Sequence, residues 1–407
     1  EPNNWTSFFS GPAWTLDPAT GEYYLHLFAS AQPDLNWENP AVRQAIADMM
    51  RFWLDRGVDG FRMDVINLIS KVPGLPDAAG APGDLGDGSP YYTNGPRVHE
   101  FLAELRRAVL GEHDTEHVII GETPGVTLEH ARWFTDPTRG EVDMVFQFEH
   151  VGLDHDADKF RTHPLAPGAL ADCFARWADG LDEVGWNALY LSNHDQPRPA
   201  SRFGDASPAS AKALAAFLHL QRGTPFVYQG EELGMTNTHL TARSDLRDVE
   251  SLNYLDQAMA RGDDPARVWA GIAAMSRDNA RTPVQWDASP HAGFTSGEPW
   301  IAVNPNHVER NVAAEDEDAD SVLAWYHRLI ALRHTQPVVA YGSQTRLATP
   351  DPRLAAWRRQ LDAEYLDVLI NLSPDAVPVD GALAGHFALS RPVRPWAVHL
   401  AWSTQAA

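Results

Sequence analysis

The chain has 407 residues, of which 44% are hydrophobic and 21% charged, an ordinary balance for a water-soluble globular protein. Its formal net charge of −23 repels phosphate backbones and anionic bilayers, which argues against nucleic acid and membrane surfaces as partners. An acidic surface also serves plain solubility, and a neutral substrate is indifferent to it. The length predicts one large domain and a smaller one. The single cysteine, Cys173, excludes an internal disulfide and fits a reducing compartment, so the cytoplasm is the expected location. No run of about 18 uninterrupted apolar residues is present. No signal peptide is visible, but the opening "EPNNWTSFF" reads as cut from a longer chain, which leaves an upstream leader open.

To about residue 37 the sequence is rich in aromatics, Pro, Asn and Gly and predicts an irregular loop region. A helix follows in "ENPAVRQAIADMMRFWLDRGV". Asn39 caps it, Pro40 suits its first turn, and Gly57 ends it. Val42, Ile46, Met49 and Trp53 are its expected inward stripe. Short apolar runs then alternate with helical segments: "GFRMDV" (60–65), "HVIIGET" (117–123), "DMVFQFEH" (143–150), "ALYLSNHD" (188–195) and "TPFVYQGEE" (224–232). Helices fit at about 95–110, 168–182 and 209–222. Cys173 falls in the second of these, among Leu170, Phe174, Trp177 and Leu181 at helical spacing, and reads as a small core residue. Continuously apolar strands alternating with helices predict a parallel sheet covered on both faces, hence an α/β fold. No G-x-G-x-x-G follows any strand, so a dinucleotide fold has no support. Each strand ends in a polar cluster, as in a barrel of βα units, where function collects at the carboxyl ends. A last helix is expected at 321–334. Beyond Pro337, the runs 354–361, 364–373 and 396–402 predict a small all-β domain.

Asp64, Glu122 and Asp195 each close a different apolar strand. Any one alone reads as a polar boundary; three together, with Arg62 and His194 beside them, suit glycoside hydrolysis. A retaining glycosidase needs an ionised nucleophile and a protonated acid about 5–5.5 Å apart, with environments that drive their pKa values apart. Arg62 beside Asp64 favours a charged nucleophile, and the apolar approach "VIIGE" favours a protonated Glu122.

The sequence resembles glycoside hydrolase family 13, the α-amylase superfamily. "GVDGFRMDV" resembles that family's nucleophile motif, "IIGETPG" its acid/base motif and "LSNHDQPR" its third-carboxylate motif, in the family's order. "QPDLNW" (32–37) resembles the signature of the oligo-1,6-glucosidase and α-glucosidase group. "SRDNARTPVQWD" (276–287) and "HAGFTSGEPWIAVNPN" (291–306) are similar to that group's strand-eight region and beyond.

The resemblance implies a (β/α)8 TIM barrel with a C-terminal all-β domain. Residues 1–37 would end a loop domain inserted after strand three, 38–337 would be barrel, and 338–407 a C-terminal β-sandwich. It implies Asp64 as nucleophile, Glu122 as acid and base, and Asp195 as the carboxylate that grips sugar hydroxyls and distorts the ring. Arg62 would position Asp64, His194 would bind hydroxyls of the same ring, and Arg281 with Arg277 would close the pocket. Arg281 reads equally as a surface ion-pair partner. Phe146 and Phe148 are expected on the sugar-binding wall, with core packing as the competing reading. Glu149 reads as structural, and the pair Glu231/Glu232 as serving loop backbone. In the resembling group Val after the nucleophile goes with α-1,6 preference, so Val65 implies an oligo-1,6-glucosidase.

The family's earlier motif at strand three has no match here, and strands one to three are expected to be missing. The chain alone is therefore expected to be poorly stable and nearly inactive. No metal and no cofactor is assigned. The expected partner is a small oligosaccharide, and the expected state a monomer. A trehalose-6-phosphate hydrolase and a glucosyl-transferring or sucrose-isomerising relative are the enzymatic alternatives. A non-catalytic carbohydrate-binding or assembly protein is the alternative of another class.

Overall fold

Short parallel strands recur within the five apolar runs that the sequence marks, each strand shorter than its run. The computed structural model describes residues 1–81, 83–111, 116–389 and 392–404. The chain divides into two units, residues 1–148 with 183–187, and residues 149–182 with 188–407. Among the described residues no helix is long and apolar enough to cross a membrane.

The first unit opens with an antiparallel hairpin, β1 (Trp14–Asp17) and β2 (Glu22–Leu25). The sequence predicts only irregular loop there. The turn closes because Asp17 accepts hydrogen bonds from the Ala19 N–H (3.0 Å) and the Thr20 hydroxyl (2.8 Å). Trp5, Trp14, Leu27, Leu68 and Tyr92 form a cluster beside it.

The helix Pro40–Leu54 starts as expected, with the Asn39 side chain accepting from the Ala41 N–H. Its inward face keeps Ile46 of the predicted stripe, packed against the core, but Met49 and Trp53 are 45% and 46% exposed. The buried residues are Ala47 and Met50, which meet Phe101 and Leu105 of the helix Val98–Leu110. Polar anchors fix that rotation. Arg43 pairs with Glu104 at 2.9 Å, and Arg51 Nε donates to the Ala108 carbonyl at 2.9 Å.

Three parallel strands follow in the order β3 (Gly60–Met63), β4 (Val118–Glu122) and β5 (Met144–Phe146). Arg62 lies opposite Ile120, and Glu122 opposite Phe146. Phe61 and Met63 pack against the Trp37–Phe101 cluster, which turns Arg62 to the other side of the strand. Val145 also makes an isolated parallel bridge with Asn187.

In the second unit β6 (Ala188–Leu189) pairs in parallel with β7 (Thr224–Pro225). The helices Ala169–Gly180, Pro208–His219 and Val322–Thr335 share one apolar cluster that includes Phe174, Leu214, Phe217, Tyr326 and Leu329. Cys173 is buried in the first of these, beside Leu170, Phe174 and Trp177. Residues 276–287 begin with a single 3-10 turn, Arg277–Asn279, and contain no strand.

The chain then forms one antiparallel sheet from β8 (Ser343–Arg346), β9 (Leu354–Leu361), β10 (Glu364–Asn371) and β11 (Val398–Thr404), in the order β11-β10-β9-β8. Alternate residues face two cores. Ala355, Trp357, Leu366, Val368 and Ile370 join the helical cluster. Leu354, Ala356 and Leu369 face Val377, Leu383, Phe387 and Val393. In place of a sandwich's second sheet, the described residues cover that face with the short helix Gly381–His386 and a bridge between Val377 and Val393. Asp367 is buried on that side and is satisfied by two 2.7 Å bonds from Arg358 and a contact to His386.

Gly60 fixes where β3 begins. Its φ is +155°, and an added Cβ would stand 2.0 Å from the Val118 carbonyl oxygen, in the backbone of the paired strand. We expect Gly60→Ala to lower unfolding free energy by more than about 3 kcal/mol, measured by denaturant titration. A change within about 0.5 kcal/mol would show that the strand can shift to accept the methyl group.

Candidate active site

Within the first unit the site grows from the ends of β3 and β4. The Arg62 guanidinium forks between two carboxylates. Nη1 pairs with Asp64 Oδ1, and Nη2 pairs with Glu122 Oε1 at 2.6 Å. The two acids sit in different surroundings, with side-chain exposures of 72% for Asp64 and 6% for Glu122. Burial pushes the Glu122 carboxyl up to about 7; Arg62 acts against this, while Asp64 reinforces it.

Val65 completes the arrangement through its backbone. It lies in the left-handed region at φ +38° and ψ +40°, unusual for a β-branched residue. That turn directs its N–H to Glu122 Oε2 at 3.1 Å. Its side chain packs partly buried against the Trp5 cluster. Asn67, absent from the sequence reading, holds the turn: its Nδ2 donates to the Pro124 carbonyl (2.8 Å) and to Asn94 Oδ1 (3.1 Å). In "QPDLNW", Asp34 pairs with Lys71, which ties that motif to the segment after the turn. Phe146 ends β5 and is half-buried, and Phe148 is half-buried two residues beyond.

In the second unit Asp195 is the centre of a cationic cluster. Arg281 Nη2 lies 2.6 Å from Asp195 Oδ1, Arg277 Nη1 3.4 Å from the same oxygen, and His194 Nε2 3.7 Å from Oδ2. Arg281 Nε also donates to the His194 carbonyl at 3.0 Å. Burial raises the Asp195 carboxyl, but Arg277, His194 and Arg281 together outweigh it and hold it below the ordinary carboxylate value. Arg277 is shared with Glu250, at 3.1 Å.

Glu149 bonds to Arg176 and accepts from the Trp177 indole at 2.7 Å, a packing role. The acidic pair divides. Glu232 accepts from the Gly230 N–H at 2.8 Å, as a loop-backbone role requires. Glu231 takes a backbone hydrogen bond from Tyr228 as well, but its carboxyl is buried, accepts from the hydroxyls of Ser192 (3.1 Å) and Tyr326 (3.2 Å), and is pushed up to about 7 by burial. No sequence signal separates the two, because Tyr326 lies on a distant helix. Among the described residues no group of three or more His, Cys, Asp or Glu side chains could hold a metal ion.

The structure thus joins Arg62, Asp64, Val65 and Glu122 in one unit, and His194, Asp195, Arg277 and Arg281 in the other. Comparison with known proteins identifies the family. The model of the α-amylase catalytic domain matches residues 1–342. The oligo-1,6-glucosidase of Parageobacillus thermoglucosidasius is 52% identical over 379 residues, 92% of this chain and 67% of that protein. Among solved structures, trehalose-6-phosphate hydrolase from Bacillus licheniformis superposes with a TM-score of 0.87 at 38% identity, covering 99% of this chain and 76% of the other. Isomaltulose synthase from Klebsiella sp. LX3 gives 0.89 at 36% identity, covering 98% and 75%. With a family match over most of its length and half its residues shared with a full glucosidase, this chain belongs to the α-amylase family of glycoside hydrolases and has that superfamily's fold.

Proposed function

We propose that the protein is a retaining α-glucosidase that removes terminal α-linked glucose from short oligosaccharides, with a preference for α-1,6 bonds. The single observation that carries this reading is the Arg62 fork, which joins an exposed carboxylate to a buried one raised to about 7. These are the two ionisation states that double displacement needs. Asp64 attacks the anomeric carbon and forms a covalent glucosyl ester, while Glu122 gives its proton to the departing oxygen. Glu122 then takes a proton from water, which breaks the ester and returns the sugar with its original configuration. Asp195 and His194 are assigned to the sugar hydroxyls, Arg281 and Arg277 to closing the pocket, and Phe146 and Phe148 to its wall. The 52% identity to an oligo-1,6-glucosidase supports the linkage preference, as does Val65 after the nucleophile. The likeness to a trehalose-6-phosphate hydrolase and an isomaltulose synthase supports a second reading in which the same glucosyl ester is formed from another donor or passed to another acceptor. In this reading β3 to β7 correspond to strands four to eight of the barrel. Residues 1–37 close the loop domain, 38–337 are barrel and 338–407 the C-terminal β domain.

A 5-fluoro-α-glucosyl fluoride tests the nucleophile without demanding rapid turnover. The label is expected on the peptide that contains Asp64 and is absent in Asp64→Asn, whose turnover falls at least about 1000-fold. Label on another residue would overturn the assignment.

Because the acid must carry its proton, and burial raises Glu122 to about 7, kcat/KM is expected to be level just below that pH. It then falls about tenfold per unit above it. A profile flat to pH 9 would remove Glu122 from the acid role.

Val65→Ala is expected to lower the isomaltose-to-maltose ratio of kcat/KM by about tenfold. An unchanged ratio would detach Val65 from linkage choice.

A further inference from the structure

Arg198 stands three residues beyond Asp195 and takes no part in the chemistry above. It is fully buried. Among the described residues no carboxylate pairs with it; peptide carbonyls take its donors instead. Nε donates to the Asn279 oxygen at 3.1 Å, Nη2 to the Ala280 oxygen at 3.0 Å, and Nη1 to the Gln229 oxygen at 2.5 Å. Its own N–H donates to Asn237 Oδ1 at 2.9 Å. The Tyr228 ring lies 5.4 Å from the guanidinium carbon, and its hydroxyl donates to the same Ala280 oxygen at 3.1 Å. Gly230 gives the group room: an added Cβ there would stand 3.0 Å from Nη1 and 2.3 Å from Met235 sulfur.

These carbonyls have a telling position. Asn279 and Ala280 lie between Arg277 and Arg281, the two arginines that converge on Asp195. The buried fork therefore links the segment that carries Asp195 to the peptide planes from which its cationic partners arise. A planar group with five donors can bind carbonyls of two segments at once, and an ammonium cannot reproduce that pattern. An uncompensated buried cation is costly, so the carbonyl dipoles and the cation hold each other in place.

We infer that Arg198 is a positioning residue. It acts through Arg281, and secondarily Arg277, by fixing the 277–281 backbone so that the guanidinium groups meet Asp195. The inference rests on the reading of Asp195 as the carboxylate that binds the sugar ring.

Arg198→Lys in the full chain tests it with two readouts. In hydrogen exchange, amides of 193–196 and 277–282 are expected to exchange at least about tenfold faster, with β9 and β10 unchanged. In kinetics with 4-nitrophenyl α-glucoside, kcat/KM is expected to fall at least about tenfold, mainly through KM. In an Arg281→Ala background the same change is expected to cost less than about threefold, because the group it acts through is gone. Unchanged local exchange, or a full loss repeated in the Arg281→Ala background, would overturn the inference. Exchange that accelerates everywhere would mark a folding defect. Tyr228→Phe then decides: it removes the second donor to the Ala280 oxygen, and should show the same local pattern and the same dependence on Arg281, or else refute the role. Where the wild-type chain turns over no glucoside, the exchange arm alone decides whether Arg198 orders the 277–281 backbone, and the label on Asp64 separately decides the glucosidase reading.

Discussion

One guanidinium, that of Arg62, holds two acids that must not behave alike. It reaches Asp64 with one nitrogen and Glu122 with the other. It stands within ion-pair distance of both, so the cation alone cannot distinguish them. Water does. Asp64 stands in solvent beside the cation, whereas Glu122 has lost its hydration to the end of β4. Desolvation overcomes the attraction of Arg62 and leaves Glu122 near 7. A lysine could offer the charge but not two planar donors aimed at separate carboxylates.

The placement of that fork is a consequence of strand packing. Phe61 and Met63 commit one side of β3 to the apolar cluster, so Arg62 has no alternative but the other. At the strand's end Val65 accepts a left-handed backbone that its branched side chain disfavours. The cost of order 1–3 kcal/mol is offset by partial burial of the side chain and by the hydrogen bond to Glu122. The site is thus tied to β3 and β4 by backbone as well as by side chains. A change in either strand's register would separate Arg62 from Glu122.

The parts of this arrangement that depend on local pattern were readable in the chain. Five apolar runs closed by charged residues mark β3 to β7, and Asn39, Pro40 and the 170–177 spacing mark helices whose boundaries agree with the structure. What depends on distant partners was not readable. The helix Pro40–Leu54 has apolar residues on two faces, and hydrophobicity alone favoured Met49 and Trp53. The choice of Ala47 and Met50 is made by Arg43 and Arg51, whose partners Glu104 and Ala108 lie on another helix. Glu231 and Glu232 are adjacent and chemically identical, yet only Glu231 meets Ser192 and Tyr326. Arg198 closes the motif "LSNHDQPR", but a buried arginine satisfied by carbonyls leaves no pattern in sequence, because every residue has a carbonyl to offer.

Asp195 and Glu122 make the electrostatic logic explicit, since both are largely removed from water and yet move in opposite directions. Glu122 has one guanidinium against it and an anion, Asp64, beside it. Asp195 has two guanidiniums, one at 2.6 Å and one at 3.4 Å, with His194 behind them. The desolvation of a carboxyl is a penalty of several kcal/mol in either case. A single cation shared with Asp64 does not cancel it at Glu122; at Asp195 two guanidiniums do, although Arg277 also meets Glu250. The arginines that face each acid, together with its depth of burial, therefore set which acid keeps a proton. This is why a chain with a net charge of −23 still concentrates arginines at these three carboxylates: the long-range field of the surface is screened within about 10 Å, and the local count decides.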